Sequence, residues 1–140
     1  MQFSYPVKIR KDGNEYIVTF PDVPEALTGA STRKEAEALA KDALVAALRG
    51  YVEDRKIIPQ PSAGKDLVHL TPLEAAKLGL YMAMREKNVS NVALGKRLDI
   101  AEGAVRRMVD LDHATKIETI YDALKNVFHY QLITNMERAA

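Results

Sequence analysis

Apolar and polar side chains alternate over residues 5–10, with Tyr5, Val7 and Ile9 on one side and Lys8 and Arg10 on the other, the period of a half-buried strand. Lys11, Asp12, Gly13 and Asn14 then carry the Asp-Gly signature of a hairpin turn, and Tyr16, Val18 and Phe20 resume the alternation in a returning strand. Pro6 has no amide donor, so the first strand lies at an edge or begins there. Pro21 and Pro24 break the pattern, and residues 25–29 predict a third brief strand that completes a meander. The period changes at Thr32. Thr32 and Glu35 stand at capping-box spacing, and Ala36, Leu39, Ala40, Ala43, Leu44, Ala47, Leu48 and Tyr51 recur as one face of a helix that ends near Asp54 and covers the sheet. Residues 57–65 hold two prolines, a serine and a glycine and read as extended; residues 66–70 predict one more strand.

Beyond that point the pattern is helical throughout. Thr71, Pro72 and Glu74 supply a cap, a first-turn proline and a capping-box acid for a helix running to about Lys87. Ser90 can cap the next. Over residues 91–110 the apolar Leu94, Leu98, Ile100, Val105 and Met108 fall at the offsets of two short helices packed across a tight turn, the pattern of a helix-turn-helix. Gly95 is small where the helices would approach most closely, and Asp99 stands where the turn wants a left-handed residue, which Asp tolerates better than most. With the second helix starting near Ala101, Val105 and Met108 face inward, and Glu102, Gly103, Arg106 and Arg107 face outward, toward the place of a DNA major groove. Thr115 and Glu118 again have capping-box spacing, ahead of a stripe of Ile117, Ile120, Tyr121, Leu124, Val127 and Phe128. Tyr130, Leu132, Ile133 and Met136 are too apolar for a free tail and predict packing against a second copy of the chain.

The pattern therefore predicts an α+β chain: a β-β-β-α-β module over residues 1–70 and an all-α helix-turn-helix domain over residues 71–140. Charge sharpens the second assignment. The whole chain carries a formal charge of only +1, which excludes a histone-like coat, so any DNA contact has to be local. Between Arg85 and Arg107 six basic residues face three acids, Glu86, Asp99 and Glu102, an excess of three positive charges on and beside the proposed reading helix. The 140 residues contain no cysteine, which excludes disulfides and thiolate metal sites and suits a reducing cytoplasm. The opening residues lack the apolar core of a signal peptide, and no apolar run approaches the roughly 20 residues that span a membrane. Modules this small are marginal alone and gain from association, so a homo-oligomer is expected.

Several segments, taken in order, resemble the HicB family of bacterial antitoxins, in the branch with a C-terminal helix-turn-helix. They are Tyr5-Pro6-Val7, then Val18-Thr19-Phe20-Pro21-Asp22-Val23-Pro24-Glu25-Ala26-Leu27-Thr28, then the helix start from Thr32 with Ala40-Lys41-Asp42-Ala43-Leu44, Ile58-Pro59-Gln60-Pro61-Ser62, and Asp112-His113-Ala114-Thr115-Lys116-Ile117. The resemblance covers nearly the whole chain. It implies an N-terminal domain like a reduced ribonuclease H fold that binds and blocks a small RNA-cleaving toxin of the HicA type. It also implies a C-terminal domain that dimerises on a palindromic operator and represses its own operon, two-fold symmetry matching half-sites about one helical turn apart.

On this reading Arg106 and Arg107 are the candidates for bidentate contact with guanine, Glu102 shares their face, and Lys96 and Arg97 touch phosphate. Ala101 replaces the usual capping serine or aspartate, and Gly103 offers no side chain to a base. Asp22, Val23, Glu25 and Leu27 are the candidate toxin contacts, since loops on rigid scaffolds carry contacts and a basic toxin favours acids. The alternative is a stand-alone helix-turn-helix transcription factor whose sheet domain binds a small molecule or another partner.

A ribonuclease-H-like fold raises the possibility of nuclease activity, which needs clustered carboxylates holding two metal ions about 4 Å apart. Asp12 and Glu15 flank a turn, Asp22 lies in a proline loop and Glu35 is accounted for as a cap, so no acidic constellation remains. His69, His113 and His129 have no zinc spacing, Ser31, Ser62 and Ser90 no nucleophile elbow, and Gly13, Gly29, Gly50 and Gly64 no phosphate loop. The expectation is a binding protein, not an enzyme, with no metal and no cofactor.

Overall fold

In the computed structural model, which describes residues 3–139, the opening alternation is split into β1 (Ser4–Pro6) and β2 (Lys8–Asp12). The single strand expected over residues 5–10 is thus corrected, and the cause lies far along the chain. β1 pairs antiparallel with β5 (Leu67–His69), Tyr5 opposite Val68, and the Val7 N–H donates to the Asp66 carbonyl at 3.0 Å. β2 turns instead toward β3 (Glu15–Thr19), with Ile9 opposite Val18, and β4 (Leu27–Ala30) adds to β3, giving the order β2-β3-β4. Gly13 at φ +61° is the first of two hairpin-loop residues, a place that favours glycine.

The third strand begins at Leu27, later than expected, because the prolines organise two successive turns. The Val23 N–H donates to the Phe20 carbonyl (3.1 Å) and the Ala26 N–H to the Val23 carbonyl (2.9 Å), so Pro21 and Pro24 each occupy the second turn position, where their fixed φ fits. Glu25 is consumed by the second turn. Val23, joining the two turns, points inward and is fully buried with Phe20 and Ala26.

α1 (Arg33–Glu53) starts as its capping residue dictates: Thr32 accepts from the Glu35 N–H at 3.1 Å. The Glu35 carboxylate accepts from Ser31 rather than closing the second half of the box. Ala36, Ala40, Leu44 and Leu48, spaced four apart, form the buried stripe that packs on β3 and β4. Val18 of β3 and Ala36, Leu44 and Leu48 of α1 have no exposed surface. Tyr5 is buried in the same unit and donates to the Pro59 carbonyl at 2.8 Å; burial, assisted by the charge of Asp22, pushes its hydroxyl pKa up to about 12.

The chain divides into two compact units, Met1–Thr71 and Pro72–Ala140. The second consists of α2 (Pro72–Glu86), α3 (Asn91–Leu98), α4 (Glu102–Met108) and α5 (Ile117–Asn126), with α2 packed on α5 and α3 on α4. α2 ends on Asn88 in the left-handed region (φ 53°), where the Val89 N–H returns to the Met84 carbonyl at 2.8 Å, a Schellman closure.

Two expectations about this unit change. α5 is capped at Lys116 without a side-chain bond, because the Thr115 hydroxyl, expected to cap it, accepts instead from Lys77 at 2.7 Å. Val127 and Phe128 lie past the end of α5, yet Phe128 is buried. Residues 129–139 form no regular element; Tyr130 is tied back through its N–H to the Leu124 carbonyl and its hydroxyl to Glu86, whereas Ile133 and Met136 are exposed. Among the described residues no helix is long and apolar enough to cross a membrane.

Candidate functional site

α3 and α4 owe their angle to the turn between them, set by Gly95, Asp99 and Ile100. Ser90 caps α3 by accepting from the Ala93 N–H at 3.1 Å, and Asp99 ends it in the left-handed region (φ 56°, ψ 48°). The Ile100 N–H then closes back onto the Gly95 carbonyl at 2.9 Å. This reversal brings the Ile100 carbonyl so near Gly95 that a Cβ there would lie 2.8 Å from it, which only glycine avoids. Leu94 and Val105 are fully buried in the seam and Met108 nearly so. Ile100 is partly exposed at the outer side of the turn, so it contributes less to the seam than its apolar character suggested.

The outward face of this pair carries Lys96 and Arg97 at the end of α3 and Arg106 and Arg107 at the end of α4, all four exposed. The two arginines of α4 are not equivalent. Arg106 is held by Glu102, one turn earlier, at 2.5 Å, and Glu102 also reaches the Asn91 amide at 3.5 Å. The Arg107 guanidinium extends back along the helix over Gly103, 3.7 Å from where a Cβ would stand. A small residue at 103 therefore leaves room for Arg107, a role the sequence reading missed when it saw only a missing side chain. Glu102 is half-buried and engages Arg106.

Beneath this face lies a residue that periodicity did not single out. Lys77 of α2 is fully buried, and its ammonium donates to the Arg107 carbonyl and the Thr115 hydroxyl, each at 2.7 Å. A signal existed: Leu73, Ala76, Leu80 and Met84 form the apolar stripe of α2, and Lys77 falls within its angular width. Burial lowers the Lys77 pKa to about 8, partly opposed by the charge of Asp110. Below pH 8 the ammonium is charged in folded and unfolded chains alike and its desolvation weakens the fold. As pH rises from about 8 toward the ordinary value of 10.5 the folded chain releases the proton first, so stability rises with pH across that window. Urea midpoints at pH 7.5 and 9.5 should show a gain that Lys77→Met lacks.

In the first unit, the candidate partner surface is the double-turn loop and the strand it feeds. Asp22 accepts from both the N–H and the hydroxyl of Ser62 at 2.9 Å, fastening the loop to the proline-rich segment. Glu25 accepts from the Tyr51 hydroxyl at 2.6 Å, fastening it to the end of α1; that bond holds the Glu25 carboxyl below its usual pKa and raises that of Tyr51. Both carboxylates stay at the surface. Leu27 is 63% exposed, whereas Val23, at 0%, is a core residue and drops from the candidate contacts. β4 pairs only with β3 within its sheet, and its sequence Leu-Thr-Gly-Ala has neither charge nor proline. The opposite edge, β2, carries Lys8, Arg10, Lys11 and Asp12. Charged edges resist pairing with foreign strands and uncharged ones invite it.

His69 lies 2.7 Å from Ser4 across β1 and β5, and His113 beside Thr115 at 3.4 Å; neither joins a cluster of acids, and no metal-competent group of three ligands occurs among the described residues.

Residues 4–79 match the family described as HicB-like antitoxin of bacterial toxin-antitoxin system. Along most of its length the chain is similar to Antitoxin HicB 2 of Photorhabdus laumondii, 46% identical over 121 residues that cover 86% of this chain and 87% of that one. It is 38% identical to Antitoxin HicB of Escherichia coli K12 over 79% of this chain and 82% of the relative. For Antitoxin HicB of Pseudomonas fluorescens the identity is 33%, over 91% and 90%.

Proposed function

The chain belongs to the HicB-like antitoxin family, and we propose that it neutralises a HicA-type RNA-cleaving toxin through its first unit and represses its own operon by binding operator DNA through its second. Family membership supports an antitoxin with a toxin partner. The observation that carries the DNA half is the α3–α4 pair, a glycine-pinched helical hairpin whose outer face holds four cations. Lys96 and Arg97 meet phosphates, and the arginines of α4 meet base edges in the major groove.

Because Glu102 already engages Arg106, that side chain has to leave an ion pair before it can reach a base, and Arg107 does not. Arg107→Ala is therefore expected to weaken operator binding about tenfold, the scale of one lost bidentate contact. Arg106→Ala should weaken it less, in fluorescence-anisotropy titrations at fixed salt. An equal loss on random-sequence duplex would mean that Arg107 touches only backbone.

For the toxin, the proposed surface is the β4 edge with Leu27 and the flanking carboxylates of Asp22 and Glu25. An added strand gains main-chain hydrogen bonds there, and a basic partner gains charge complementarity. Self-association through the apolar side chains of residues 130–136 brings two α4 helices to a palindromic operator, in the cytoplasm, where both toxin and operon reside. The decisive experiment co-expresses the chain with the product of its neighbouring gene, where a small basic toxin is expected. Growth should be restored by the native chain and not by Leu27→Arg; restoration by both would remove the β4 edge from the account. A chain that binds its operator yet rescues no neighbouring toxin would be a stand-alone transcription factor.

A further inference from the structure

Lys77 is the one charged side chain fully buried among the described residues, and burying a charge is costly even when it is well hydrogen-bonded. A methionine would fill the same space at lower cost, so packing does not explain a lysine. What the ammonium supplies is direction. α4 is seven residues long, its cap Ala101 makes no side-chain bond, and its buried side chains are Val105 and Met108. Apolar burial fixes how deep a helix sits but is non-directional, and two residues on one stripe leave rotation about the helix axis soft. A hydrogen bond falls off steeply with angle. The Lys77 ammonium bonds the carbonyl of Arg107, in the last turn of α4, and at the same time the Thr115 hydroxyl in the segment leading to α5.

We propose that Lys77 is a positioning residue for DNA recognition: clamped between the Arg107 carbonyl and the Thr115 hydroxyl, it sets the rotation of α4 and so the direction in which the Arg107 guanidinium leaves the surface. This rests on the DNA-binding reading. The backbone atom that Lys77 holds belongs to the same residue whose side chain is the leading candidate for base contact. A few degrees of rotation there misaligns the guanidinium for bonds to a guanine edge, which fall off steeply with angle, whereas charge attraction to phosphates is not directional. Lys77 thus acts on sequence preference rather than on general affinity.

The test compares full-length Lys77→Met with the native chain and with Ile120→Val, which trims a buried side chain of α5. Lys77→Met keeps the aliphatic length and removes the donors. Removing the buried ion relieves its desolvation cost, and the Arg107 carbonyl keeps the Asp110 N–H as a donor, so the urea midpoint at pH 7 should equal or exceed the native value. Its operator affinity should fall about tenfold and its affinity for random-sequence duplex by less than about twofold, the selective loss of one base contact. Ile120→Val should lower the midpoint and leave operator affinity intact. Thr115→Val, which removes one of the two acceptors, should fall between the native chain and Lys77→Met on the operator, and serves if Lys77→Met does not fold. Undiminished operator binding by the Lys77 or Thr115 variants, or parallel losses on both duplexes, overturns the proposal.

If the native chain itself does not prefer the operator, the DNA-binding reading fails. Lys77 is then judged by amide resonances: displaced Arg106 and Arg107 signals in Lys77→Met uphold the positioning of α4, and unmoved signals overturn it.

Discussion

Gly95→Ala is expected to disable the second unit's α3–α4 pair and leave the first unit intact. The new Cβ would stand 2.8 Å from the Ile100 carbonyl, a backbone atom that cannot rotate aside, with Val105 3.6 Å away. Relief requires α3 and α4 to separate, which withdraws Val105 and Met108 from cover and turns the face bearing Arg106 and Arg107. Overpacking of this kind costs about 1–3 kcal/mol. Operator binding should be lost, while toxin binding through residues of the first unit persists. Urea denaturation of the variant, with anisotropy on the operator duplex, measures both. Gly103→Ala is the control, since a Cβ there meets Arg107 at an ordinary 3.7 Å. It should fold normally and perturb only the Arg107 side chain.

Leu44→Ala should have the converse effect. Leu44 is fully buried at the middle of the α1 stripe, against a three-stranded sheet whose covering helix is α1. Removing its side chain costs about 2–5 kcal/mol, the range depending on how far the site collapses. For a small unit that is a large part of the total stability. Loss of α1 also frees Tyr51, and with it the bond that orients Glu25. The expected outcome is a lower urea midpoint and loss of toxin binding; a native midpoint would contradict the packing of α1 described above.

What the sequence disclosed and what it hid divide along the range of the interactions. The Thr32 and Ser90 caps, the left-handed Asp99, the hairpin at Gly13 and the pinch at Gly95 are decided within a few residues, and each stands where local chemistry puts it. The break at Val7 depends on Asp66 and on pairing with β5, some sixty residues away, so alternation alone runs through it. Thr115 follows the same rule. Its spacing from Glu118 is that of a cap, and its hydroxyl is taken by a lysine thirty-eight residues earlier. Val23 misled for a different reason: a residue between two prolines reads as loop surface, but two consecutive turns point it into the core. On the exposed faces of α3 and α4, charge and helical spacing picked out Lys96, Arg97, Arg106 and Arg107, and could not reveal that Glu102 restrains Arg106 or that Lys77 holds the backbone of Arg107.

The division of labour between the units can be tested in one titration. RNA cleavage by a HicA-type toxin would be followed while native chain, Gly95→Ala and Leu27→Arg are added in turn. Native chain and Gly95→Ala should silence cleavage near equimolar ratio, and Leu27→Arg should need a large excess. Cleavage that continues in excess native chain, or that Leu27→Arg suppresses while Gly95→Ala does not, would contradict the assignment of toxin neutralisation to the β4 edge.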